Sequence, residues 1–155
     1  MEIVLVEPEI PGNTGNIVRL CAANHMTLHL VKPLGFSIED KYLKRAGLDY
    51  WHLVDIRIHE NLQEVFDAYP DRTFYFTSSK AKHVHSDVQY KMGDMLVFGK
   101  ETKGLPEVLL KAHEETSIRI PMKEEARCLN LSNAVAIVSY EAMRQLGYPD
   151  LKKIK

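Results

Sequence analysis

At 155 residues with 45% hydrophobic content, the chain is long enough to bury a real core, and a single domain over residues 1–155 is expected. Lys and Arg total 20 against 21 Asp and Glu, a net charge of -1, so any RNA contact must come from local clusters of base rather than from the whole surface. Two cysteines without metal spacing, and no uncharged run near the ~20 residues of a bilayer span, argue against a disulfide scaffold, a zinc site and a membrane helix; a reduced, cytoplasmic protein is expected.

In chain order, Ile3-Val4-Leu5-Val6 reads as a buried strand bounded by Pro8 and Pro11. The stretch PGNTGNIVRLCAAN, Pro11 to Asn24, then predicts a helix capped by Asn13 or Asn16, with Gly15 permitting a tight turn and Ile17, Leu20, Cys21 and Asn24 at helical spacing. A dinucleotide-binding turn would need Gly-x-Gly-x-x-Gly here; Asn13, Asn16 and Arg19 stand instead. Asn16 and Arg19 share one helix face near an end whose N–H groups favour an anion. That pattern suits a phosphate or ribose partner, or simply a capped surface helix with an exposed arginine.

Further along, Leu28–Val31 reads as a strand, Ser37–Gly47 as a short helix closed by Gly47, and Asn61–Tyr69 as another helix. Strands follow at Thr73–Thr77 and Met95–Gly99, then a helix at Leu105–Ala112, a strand at Ser117–Ile120, and the longest helix at Asn130–Leu146. Alternation without hairpin signals predicts an α/β fold: a mainly parallel sheet with helices on both faces and ligands at the carboxyl ends of the strands. In the last helix, Leu131, Ala134, Val135, Val138 and Ala142 form an apolar stripe that Ala136, Ile137, Tyr140 and Met143 widen. Such a helix is covered on more than one side, either by a second copy of the chain or as the central helix of a monomer. Basic clusters at Lys41, Lys44 and Arg45, at Lys80, Lys82 and His83, and in the tail at Lys152, Lys153 and Lys155 are RNA-contact candidates or solvated faces. His83 and His85 form the only close histidine pair and lack further ligands, so no metal is expected.

Three segments carry polar and glycine residues at strand ends: NTGNIVRLCAAN, FGKETKGLP (Phe98–Pro106) and RCLNLSNAVAIVSYEA (Arg127–Ala142). Gly99 and Gly104 bracket Glu101 and Thr102 where backbone can approach a flat ligand, and Asn130, Ser132 and Asn133 offer amide and hydroxyl groups at a helix start, for a ligand or simply as its cap. With RAGLDYW and RIPM in the expected order, these motifs make the chain resemble, nearly end to end, the SPOUT class of RNA methyltransferases. Within it, the chain is similar to the small tRNA wobble-nucleotide 2′-O-methyltransferases, the TrmL (YibK) group.

The resemblance implies a C-terminal trefoil knot, a homodimer, and S-adenosylmethionine (AdoMet) held in the knot loops. Residues matching the family's cofactor contacts are Thr77, Gly99, Ile120 and Cys128, with Leu105, Met122 and Leu129 nearby. Arg19 matches the arginine beside the reacting ribose; because a guanidinium gives up its proton reluctantly, it is expected to polarise the 2′-hydroxyl or clamp the adjacent phosphate. Asn13 and Asn130 would orient the ribose or Arg19. Glu101 would pair with a base or hold its loop, and Tyr140 would pack or approach the substrate across a dimer interface. Cys128 stands where the family often has Ser, which keeps a backbone contact and removes any catalytic hydroxyl. The activity implied is methylation of the 2′-OH of the anticodon wobble nucleotide, cytidine or modified uridine 34 of leucine tRNAs, with Lys41, Lys44, Arg45, Lys80 and Lys82 as candidate anticodon-arm contacts. The alternatives are another tRNA or rRNA site, or a non-catalytic knotted RNA binder; a Rossmann oxidoreductase lacks its glycine fingerprint.

Overall fold

The computed structural model describes residues 1–47 and 50–154; Leu48 and Asp49 of the RAGLDYW motif and Lys155 of the basic tail lie outside the described residues. The elements are β1 (Glu2–Val6), α1 (Pro11–Asn24), β2 (Thr27–Val31), α2 (Lys41–Gly47), β3 (Ile56–His59), α3 (Leu62–Ala68), β4 (Phe74–Thr77), β5 (His83–Val84), β6 (Met95–Phe98), α4 (Glu107–Ala112), β7 (Ser117–Arg119) and α5 (Leu131–Gln145). Two 3-10 turns, Trp51–Leu53 and Glu114–Thr116, precede β3 and β7. The strands form a seven-stranded sheet in the order β3-β2-β1-β6-β4-β7-β5. Every pairing is parallel, with Leu5 opposite both Leu30 and Phe98, and Phe76 opposite Val97 and Ser117.

Alternation along the central strands sends residues to both sides, as a sheet covered on both faces requires. Ile3, Leu5, Leu96 and Phe98 enter one core with Ile17 and Val18 of α1 and Val135, Val138 and Ala142 of α5. Val4, Val6, Met95, Val97 and Phe76 enter the other, closed by Val65 of α3 and Leu109 and Leu110 of α4. Each fully buried Leu, Ile or Phe contributes about 1.5–3 kcal/mol, so the three central strands supply much of the fold's hydrophobic stabilisation. Among the described residues, no helix is long and apolar enough to cross a membrane.

Several expectations are corrected. The first helix is not capped by Asn13 or Asn16: it begins at Pro11, whose preset φ and missing N–H suit a first helical position, and Ile10 at the N-cap offers no side-chain bond. Gly15 is inside that helix, not in a turn. The second helix begins at Lys41 rather than Ser37, because Asp40 accepts from the Tyr42 and Leu43 N–H groups at 2.8 and 3.4 Å and so acts as its cap. Asn61, expected as the first residue of its helix, caps it instead, whereas Asn130 takes the capping role that its place at a helix start allowed. The strands β3 and β5 were not expected: β3 alternates Arg57 with apolar residues on the sheet edge, and β5 has two residues defined only by pairing with β7. In α5, Val135, Val138, Ala142 and Met143 are buried, whereas Ile137 and Tyr140 remain 39% and 37% exposed in the single chain.

Candidate functional site

The three motif segments meet through one carboxylate. Glu101, in the loop after β6, accepts from the Glu9 and Ile10 backbone N–H groups at 2.8 Å each and from Asn13 Nδ2 at 3.2 Å. Since α1 has no acidic residue in its first turn and no side-chain cap, Glu101 supplies from 91 positions away the negative charge that a helix N-terminus favours. The first N–H groups of this segment are thus met by the protein's own carboxylate. Glu9 reciprocates, accepting from the Thr102 N–H at 3.1 Å and hydroxyl at 2.7 Å. Those two bonds hold the Glu9 carboxyl below the usual carboxylate range.

The carboxylate also orients every amide beyond it. Glu101 only accepts, so Asn13 must turn Nδ2 towards it; Asn13 Oδ1 then faces Asn130, whose Nδ2 donates at 3.0 Å. Asn130 Oδ1 is left to cap α5, accepting from the Ser132 and Asn133 N–H groups at 2.9 and 3.3 Å. A single relay thus ties the start of α1, the loop after β6 and the start of α5.

Beside this relay lies a cavity of about 510 Å³ at the carboxyl ends of β4, β6 and β7, where a parallel sheet opens to ligands. Thr77 and Phe98 form its floor, the loop from Gly99 to Leu105 one wall, and Ile118 to Leu131 the other. The Thr77 hydroxyl donates to the Val97 carbonyl at 3.0 Å, so it braces β4 against β6. At Gly99 a Cβ would overlap the backbone of Gly104 and Leu105, which is why this wall can fold so closely onto the strand.

Residues 1–140 match the SpoU rRNA methylase family. The chain belongs to that family. It is 52% identical over 156 residues to the tRNA (cytidine(34)-2′-O)-methyltransferase of Yersinia pestis, covering 96% of each protein. A solved structure concerned with 2-OH methylation of C/U34 on tRNA superposes with a TM-score of 0.90 at 42% identity, over 94% of this chain and 95% of that one. The AdoMet-bound rRNA methyltransferase of Sinorhizobium meliloti superposes with a TM-score of 0.83 at 26% identity, over 94% of this chain and 56% of that one.

All seven residues matched to the family's cofactor contacts, Thr77, Gly99, Leu105, Ile120, Met122, Cys128 and Leu129, line the one cavity, as do Asn13 and Asn130. Arg19 is not on its wall. It is exposed on α1, six residues and hence about 9 Å of helix beyond buried Asn13, with its guanidinium carbon 5.2 Å from the centroid of the Tyr50 ring. Among the candidate RNA contacts, Lys44 pairs with Glu39 at 2.6 Å, Lys80 with Glu107 at 3.5 Å and Lys82 with Glu114 at 3.6 Å. Lys41 lies over the Tyr42 ring at 5.2 Å, and Arg45 is exposed. Sequence reasoning missed Glu9 as a partner of Thr102 and Tyr50 as a partner of Arg19.

Proposed function

We propose that this SpoU-family chain transfers a methyl group from AdoMet to the ribose 2′-hydroxyl of the wobble nucleotide, cytidine or uridine 34, of a tRNA. The observation that carries this reading is the cavity at the carboxyl ends of β4, β6 and β7, whose wall shares Asn13 and Asn130 with the Glu101 relay. The activity named for the Yersinia pestis relative supports it. The cavity also fits the cofactor: Leu105, Ile120, Met122 and Leu129 offer apolar walls for an adenine ring, and close-packed backbone at Gly99 offers hydrogen bonds to its polar edge. When bound, AdoMet supplies a methyl group activated on a sulfonium.

A ribose hydroxyl is a weak nucleophile and must release its proton as it attacks. Arg19 carries the donors that polarise that hydroxyl or clamp the neighbouring phosphate. Asn13 and Asn130 each use one amide N–H within the relay and retain a second, which they offer to the ribose. Cys128 contributes to cofactor binding only. The enzyme works in the cytoplasm as a homodimer, joined over the exposed Ile137 and Tyr140 of α5, with its C-terminal segments threaded as a knot. Lys41, Lys44, Arg45, Lys80 and Lys82 contact the anticodon arm; the surface ion pairs of Lys44, Lys80 and Lys82 are solvent-screened and yield readily to phosphate.

The test is incubation with labelled AdoMet and total tRNA, beside Arg19→Ala, followed by mapping of 2′-O-methyl nucleotides. Methylation at position 34, lost in Arg19→Ala while AdoMet still binds, is expected. Methylation elsewhere, or AdoMet binding without transfer, would overturn the substrate or the activity respectively.

A further inference from the structure

An arginine on an exposed helix face samples many rotamers, and one that engages RNA productively must give up that freedom. Here the Arg19 guanidinium lies over the Tyr50 ring, 5.2 Å from its centroid. The ring is presented from fixed backbone. Tyr50 is the N-cap of the 3-10 turn Trp51–Leu53; its carbonyl accepts from the Leu53 N–H at 2.9 Å, and Trp51 accepts from the Val54 N–H at 3.3 Å. Trp51 and Val54 in turn pack against the core shared by α1 and α5.

From this geometry we infer that Tyr50 is the positioning residue for Arg19, its ring face ordering the guanidinium while leaving the N–H donors available to ribose and phosphate. The chemistry of the partner matters. A carboxylate would also order the cation, but by occupying its donors and cancelling the charge that RNA requires. An aromatic face attracts a cation through its quadrupole and does neither. The inference rests on the reading that Arg19 acts on RNA, and it adds to the site a residue with no place on the cavity wall.

The experiment compares Tyr50→Leu, which keeps apolar bulk without a ring face, with Tyr50→Phe, which keeps the face. Both are made in the wild-type and Arg19→Ala backgrounds. Three quantities are read: kcat for tRNA methylation, AdoMet affinity by calorimetry, and the Arg19 Nε–H resonance in a nitrogen-15 correlation spectrum. Tyr50→Leu is expected to lower kcat by about threefold to thirtyfold, with AdoMet affinity unchanged. Tyr50→Phe stays within about twofold of wild type, and Tyr50→Leu costs nothing further once Arg19 is Ala. The Arg19 resonance loses its ring-current shift in Tyr50→Leu and retains it in Tyr50→Phe. Wild-type kcat in Tyr50→Leu, an equal fold loss in both backgrounds, or an unmoved Arg19 resonance would each overturn the inference. Full activity in Arg19→Ala would instead overturn the role of Arg19 on RNA, while the resonance still decides whether the ring holds the guanidinium.

Discussion

Glu101→Gln keeps the size of the side chain and removes one acceptor and the charge. Oε1 accepts from the Glu9 N–H, while Oε2 accepts from the Ile10 N–H and Asn13 Nδ2. A glutamine can keep its oxygen on the two-donor side only by turning its NH₂ against the Glu9 N–H. One charge-assisted bond is lost, about 1.5–3 kcal/mol, with about 0.3–1 kcal/mol more for the charge at the start of α1. Glu101 is half-exposed, so water recovers part of this, leaving about 1–3 kcal/mol. For a chain of this size, that lowers Tm by about 3–10 °C. The same change slackens the wall from Gly99 to Leu105, so AdoMet affinity should fall with Tm. Differential scanning calorimetry and titration calorimetry on the same samples read both. Glu9→Gln is the control: its carboxylate meets Thr102 from the solvent side, and its effect on Tm should be smaller. A Tm within about 1 °C of wild type and an unchanged AdoMet affinity in Glu101→Gln would refute the claim that this carboxylate assembles the site.

Gly99→Ala puts a methyl into the backbone of Gly104 and Leu105, a clash that no side-chain rotation relieves. It should destabilise the fold by at least about 2 kcal/mol and weaken AdoMet binding at least about tenfold, read by the same two calorimetric measurements. Burial pushes the Cys21 thiol up to about 12, whereas Cys128 is exposed on the cavity wall. A chromogenic disulfide reagent should therefore find one fast thiol in the native protein and two after denaturation, and saturating AdoMet should slow the fast one. Beneath α3, His29 Nε2 lies 2.7 Å from a Glu2 carboxylate oxygen and its Nδ1 lies 2.9 Å from His59 Nε2. Burial, then His29, holds the His59 imidazole below its ordinary 6.5 against the pull of Glu64. A depressed folded value means that the unfolded chain binds the proton first. Stability is then full above about pH 6.5 and declines as pH falls towards the folded value. Wild type should lose Tm between about pH 7.5 and about pH 5.5, and His59→Gln should lose less.

The sheet was legible because its central strands carry their own signal. Ile3–Val6 and Met95–Phe98 are apolar on both faces, and only a parallel sheet covered on both sides accommodates that pattern. The edge was not legible, since β3 alternates charge with apolar residues and β5 is a pairing rather than a sequence preference. The residues that line the cavity were named through motif resemblance, and neither composition nor periodicity carries that signal.

What the chain alone determined is the alternation of elements, the two-sided core and the three segments that hold the site. The tertiary structure decided how those segments join. Glu101 and Asn13 are 88 positions apart, and Asn13 and Asn130 are 117 apart, so no local rule couples them. Only the parallel sheet, bringing the carboxyl ends of β1 and β6 side by side and α5 back across α1, puts one acceptor-only carboxylate where it can orient both amides. The same folding carried Arg19 away from the cavity wall and onto Tyr50, a separation that the spacing within α1 does not reveal.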